Sequence, residues 1–185
     1  EVGNNESSLD LILECCRQSE GFYDYHFGDF ANEIIVPTLY KLVTPDKFAK
    51  LLEFMKEPGL YSIFKYYVSC TMAQLARRKP EQRQACLEWF SSLITFATET
   101  LPKVQYIDGR LAGFITADAV SLHTEELLPG LKAMYATGCV DQQICGRIDE
   151  VEDLILHERD KDEFKSSHFE VHERFADIKS RFGNS

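Results

Sequence analysis

No run of about 18 apolar residues occurs in the 185 residues, so no transmembrane helix is expected. Positive charge is also short: 20 Lys and Arg face 30 Asp and Glu, a formal net charge of −10. Phosphate binding rests on cationic surface, so a general nucleic-acid binder and a protein of anionic membrane surfaces are both disfavoured. A Gly-rich phosphate loop, a Gly-x-Ser-x-Gly elbow, a His-Asp dyad and a paired cysteine knuckle are all missing. No motif therefore specifies a reaction. Strand signals are missing too, since nothing alternates apolar and polar over six residues with β-branched enrichment. The polar start, Glu1 to Asn5, lacks both an initiator Met and the basic and apolar regions of a leader, and reads as an excised segment.

Six cysteines are present: Cys15, Cys16, Cys70, Cys86, Cys139 and Cys145. Four sit in helical patterns with apolar neighbours, so free core thiols in a reducing, cytoplasmic protein are expected. Adjacent Cys15 and Cys16 would point to different faces of a helix, which disfavours a disulfide between them. The acidity lies at the ends. Residues 1–33 hold 8 acidic and 1 basic residue, residues 34–148 hold 11 and 13, and residues 149–185 hold 11 and 6. The densest stretch, Asp149 to Glu163, reads as a solvated helix face or linker, with a cation or basic partner as the alternative.

Helical periods run through the chain. Ser8 is expected to cap a first helix carrying Leu9, Ile12, Leu13 and Cys16 on one side. Residues 20–29, with two glycines and four aromatics, read as a loop packed by its rings. A helix follows through Phe30, Ile34, Ile35, Leu39 and Leu42, with Pro37 inside it expected to cause a bend. Thr44-Pro45-Asp46 should open the next helix, with Thr44 as its cap, and Pro58-Gly59 should stop it. Leu60, Ile63, Phe64, Tyr67, Val68, Thr71 and Leu75 form the clearest amphipathic stripe. Pro80 restarts the chain, residues 81–101 and 107–122 supply two more helices, the second with Asp108 as its expected cap, and Thr124 opens a third through Leu127, Leu128, Leu131, Met134 and Tyr135. The third of these ends at Gly138, and small residues in the second permit close approach. A short helix follows at 148–155. Phe164, His168, Val171, Phe175, Ile178 and Phe182 mark one seam of a C-terminal amphipathic helix. His168 and His172 are four apart, but no third ligand accompanies them, so no metal site is assigned.

The fold class expected is all-α. Residues 44–79, 80–122 and 124–157 each hold a helix pair, and hairpins of this length stack because one alone cannot bury both faces. A four-helix bundle, the competitor, favours fewer and longer helices with narrower stripes. The expected division is a helical-repeat domain over residues 1–158. Residues 159–185 then form an acidic linker and a terminal helix that packs on that domain or on a partner.

The pattern resembles the HEAT-like α-solenoids. Glu57-Pro58-Gly59-Leu60-Tyr61 through Gln74-Leu75-Ala76, Ile107 through Phe114, and Glu126-Leu127-Leu128-Pro129 through Gly146 also resemble a bacterial family of unassigned function. That resemblance spans about residues 30–155 and rests on core and turn signatures. Members of the family with a Cys/His-rich zinc tail differ from this chain, which has no cysteine in residues 156–185, so no metal or other cofactor is carried over.

Candidate binding residues are Tyr61, Lys65, Tyr66 and Ser69, on the less apolar side of one helix, with Arg110 and Asp118 on another. If that side lines a groove, the protein is a non-catalytic module for a protein or peptide, basic in view of the acidic ends. Asp118 falls near an apolar stripe and needs a partner; a tie between neighbouring helices is the role expected of it. The alternative is an enzyme or a small-ligand or cation-binding protein, with carboxylates such as Asp118 or the 149–163 run lining a pocket. Oligomeric state is left open by the sequence.

Overall fold

Helical propensity and apolar spacing set the elements. In a computed structural model, residues 6–103 and 105–157 are described, and among them there is no strand. The α-helices are α1 (Glu6–Cys16), α2 (Glu20–His26), α3 (Ala31–Leu42), α4 (Phe48–Lys56), α5 (Ser62–Arg78), α6 (Arg83–Thr100), α7 (Gly109–Val120), α8 (Leu128–Ala136), α9 (Gln142–Cys145) and α10 (Ile148–His157). No helix of the described residues is long and apolar enough to cross a membrane. The expected linker and C-terminal helix, with His168 and His172, lie outside the described residues.

Three local expectations are corrected. Residues 20–26 form a helix, not a loop: the Ser19 side chain accepts the Phe22 N–H, and Phe22 meets the ring of His26 at 4.3 Å, one turn on. The glycines and crowded rings obscured a Tyr23–Phe27 pair four apart, both of which pack edgewise on buried Phe64. Thr44 precedes its helix but makes no side-chain cap; its hydroxyl serves the Asp46 carboxylate, and a tight turn at Pro45–Lys47 leads into α4. Ser8 does not cap the first helix, because α1 already begins at Glu6 and Ser8 lies within it; the short α9, too brief to show a period, is an element the spacing did not indicate. Asp108, by contrast, caps α7 as expected, accepting the Leu111 N–H at 2.7 Å. Pro37 lies within α3 without ending it.

The apolar stripes meet in one core that runs from Leu9 to Ile155. Packing follows chain order in two series. In one, α1 packs on α3, α3 on α5, α5 on α7 and α7 on α9; in the other, α4 packs on α6, α6 on α8 and α8 on α10. Contacts α4–α5, α5–α6 and α6–α7 join the series. Both flanks of α5 and α6 are therefore covered, which accounts for their wide apolar arcs. Glycine permits the closest approaches. A Cβ on Gly109 would fall 2.3 Å from the Cys139 carbonyl oxygen, and one on Gly113 would fall 2.9 Å from that of Asp141.

Candidate functional site

Ser62, Lys65 and Ser69 recur at helical spacing on α5, and all three turn toward α7 or the loop before it. Ser62 Oγ donates to Asp108 Oδ2 at 2.5 Å, so the carboxylate that caps α7 also ties it to the start of α5. One turn on, Lys65 is only 1% exposed. Its Nζ donates to the Glu57 and Tyr106 carbonyl oxygens at 2.5 and 2.7 Å, holding the segments that lead into α5 and α7. Burial pulls the ammonium down to about 8, opposed by the nearby Glu57 and Asp108 carboxylates. A further turn along, Ser69 is wholly buried and donates to Asp118 Oδ2 at 2.6 Å. Asp118 is half-buried by its exposed surface, yet lack of solvation lifts its carboxyl to about 7, against the lowering effect of the Ser69 bond.

The outer edge of this seam is aromatic and sulfur-bearing. The Tyr66 ring lies 4.5 Å from Phe114 on α7, and the Arg110 guanidinium lies 5.7 Å from the same Phe114 ring. Tyr66 bonds Cys70, and burial pushes both groups up to about 12. Gln74 Nε2 donates to Cys70 Sγ at 3.7 Å, while its Oε1 is buried without a partner. Tyr61 meets Tyr23 and Phe64 edge-on at 5.5 and 6.2 Å, and burial with Glu20 close by raises its hydroxyl.

All six candidate residues thus lie along α5, its leading residue, or α7. Lys65 and Ser69 are inside the protein rather than on a wet helix face. Tyr61, Tyr66 and Asp118 are half-buried, and Arg110 is exposed. Asp118 ties neighbouring helices through Ser69. Burial favours the protonated forms of the Cys70 thiol and the Tyr61 and Tyr66 phenols, and the Ser62, Lys65 and Ser69 bonds fasten α5 to α7 and to the loop before it. Sequence reasoning missed Ser62, Cys70 and Gln74. The signal for the first was its place, three and seven residues before Lys65 and Ser69, on one stripe.

The acidic run is described as far as His157. Its carboxylates are already engaged: Arg147 with Asp149 at 2.9 Å, Lys132 with Glu152 at 2.6 Å, His157 with Asp153 at 2.9 Å, and the Arg147 backbone N–H with Glu150 at 2.7 Å. Among the described residues, no three His, Cys, Asp or Glu side chains gather as metal ligands would. An open cavity of about 380 Å³ lies between α8 and α10, lined by Lys132, Tyr135, Gln142, Ile148, Asp149 and Glu152. The Tyr135 hydroxyl at its edge is engaged with Cys145 Sγ at 2.7 Å and the Gly146 carbonyl at 3.0 Å. All six cysteines are free; Cys16 and Cys86 are buried and Cys139 is exposed. No protein-family model, curated protein or solved structure matches this chain.

Proposed function

We propose that this protein is a non-catalytic helical-repeat module, HEAT-like in the stacking of its hairpins, that binds a protein or peptide partner. The observation that carries this reading is the packing order. From α3 to α10 each helix packs on the helix two places along the chain, in two series joined side by side. A closed bundle brings its first and last helices together, whereas stacking in chain order builds an extended surface suited to a long ligand. Of the seam residues, Tyr61, Tyr66, Arg110 and Asp118 keep exposed atoms and are the candidate contacts, with Lys65 and Ser69 supporting them from beneath. Burial raises the Cys70 thiol, which disfavours thiolate chemistry at that position.

One observation favours a second reading, a small-ligand or cation-binding protein: the α8–α10 cavity carries two carboxylates, Asp149 and Glu152. Both are already engaged by Arg147 and Lys132, which weakens their claim on a cation. One experiment separates the readings. Purified protein is titrated with an array of peptides of varied charge and hydropathy, and its melting is followed with Mg²⁺, Ca²⁺, Mn²⁺ and Zn²⁺. Saturable binding of one peptide class with no metal-dependent rise in melting temperature is expected. A metal that raises melting by several degrees, with no peptide bound, reverses the choice, because binding to the native state alone adds stability.

A further inference from the structure

The cavity between α8 and α10 continues into an exposed stripe on α10. Its wall holds Tyr135 and Ala136 of α8, Gln142 of α9, and Ile148 and Glu152 of α10. Leu156 follows Glu152 by four residues, as Glu152 follows Ile148, so the three share one side of α10 at intervals of one turn. Ile148 is half-buried and Leu156 is 43% exposed, while Val151 and Ile155, farther round the helix, are inside. The charged side chains of the wall are paired, Lys132 with Glu152 and Asp149 with Arg147, which leaves the apolar groups to be covered. Leu156 adjoins His157, the last described residue, so the stripe runs out where residues 158–185 begin.

Packing order indicates what would cover this side. Helices pack on those two places along the chain, and α4–α5, α5–α6 and α6–α7 also touch. The described helices end with α9, a single turn, and α10. A helix following α10 in the same order would lie against α9 and α10, both of which wall the cavity. The chain holds one stretch suited to that place, outside the described residues. Phe164, His168, Val171, Phe175, Ile178 and Phe182 are spaced 4, 3, 4, 3 and 4 in sequence, and a one-sided apolar seam needs a surface to cover it. Residues 158–163 are a connection of ordinary length between packed helices, and six residues reach at most about 20 Å, so the seam starts close to Leu156. We propose that residues 164–182 dock as an amphipathic helix on their own chain, in the groove walled by α8, α9 and α10, with the seam over Ala136, Ile148 and Leu156. That helix would close the end of the stack, as the terminal elements of stacked hairpins do. The proposal is independent of what the array binds elsewhere.

The test is hydrogen exchange of the whole chain read by mass spectrometry, with α5 as the internal measure that the array is folded. Amides of 164–182 should exchange at least tenfold more slowly than the rates of an unstructured peptide of the same sequence. The double variant Ala136→Glu/Leu156→Glu changes two exposed positions on the groove, and should speed that exchange at least tenfold while α5 is unchanged. Leu11→Glu, at an exposed apolar position on α1, should change nothing in 164–182. Should the double variant also loosen α5, the seam variant Phe175→Ser/Ile178→Ser decides: it should speed exchange in 148–157 about threefold or more and leave α5 alone. The protection should be the same at about 1 and 50 µM protein, with light scattering giving a monomer at both. Unprotected amides in 164–182, or protection that neither double variant moves, overturn the proposal. Protection that appears only at the higher concentration, together with a dimer, overturns it in favour of the same segment from a second copy.

Discussion

Replacing Asp118 with Asn should stabilise the protein at pH 8 and do less at pH 5. The carboxyl moves from 3.8 to about 7 on folding because burial disfavours its charge. Between pH 4 and 7 the native state therefore holds a proton that the unfolded chain has released, and stability falls as pH rises through that window. Each tenfold change in proton affinity is worth about 1.4 kcal/mol, so three such steps set a ceiling near 4 kcal/mol. Solvent still reaches the half-buried group, which reduces the effect to about 2 kcal/mol. Asparagine keeps an oxygen for the Ser69 hydroxyl, carries no charge, and should recover most of that cost at pH 8. For a chain of this length about 2 kcal/mol corresponds to roughly 4–8 °C in melting temperature. The assay is thermal unfolding by circular dichroism of both proteins from pH 5 to 8.5, read as the difference at each pH, so that other titrating groups cancel. The difference should shrink steadily as pH falls toward 5. A difference that does not change with pH, or an Asn variant that melts lower at pH 8, refutes the reasoning.

Three further outcomes follow from the same packing. Lys65→Met should destabilise by about 2–4 kcal/mol in urea unfolding, because the Glu57 and Tyr106 carbonyls lose their buried donor; equal or greater stability would show that the buried ammonium costs more than its bonds return. Gly109→Ala should lower the melting temperature by several degrees, since the new methyl group falls within 2.3 Å of the Cys139 carbonyl oxygen; Gly21→Ala in α2, with its nearest neighbour at 3.9 Å, should leave it unchanged or raise it slightly. In timed alkylation read by mass spectrometry, Cys139 should react first and Cys16 and Cys86 last, because burial both shields the latter two and raises their thiols to about 12. Early labelling of Cys86 would contradict the burial of the α6 face.

Much of the fold is legible along the chain because helices announce themselves locally. The stripe from Leu60 to Leu75, the Asp108 cap and the proline restarts at Pro45 and Pro80 each depend on residues within a turn or two of one another. What failed to show was short or ambiguous. Glycines and rings hid α2, four residues hid α9, and Thr44 looked like a cap until Asp46 claimed its hydroxyl. Asp118 was marked by position alone as needing a partner, since a carboxylate beside an apolar stripe has few alternatives. Its partner, Ser69, lies 49 residues away, and no local pattern names it.

The sequence by itself determined the all-α class, most helix boundaries, the unequal placement of charge and the candidate residues on α5 and α7. Each of these follows from backbone periodicity or from counting. Only the tertiary structure decided which side of α5 is inside, and so that Lys65 and Ser69 are buried ties while Arg110 reaches solvent. It also decided that the helices pack in chain order. The reason is physical: a helix with a wide apolar arc can turn either flank to a neighbour, and the choice is made by the contacts of all its neighbours together, not by the residues within it.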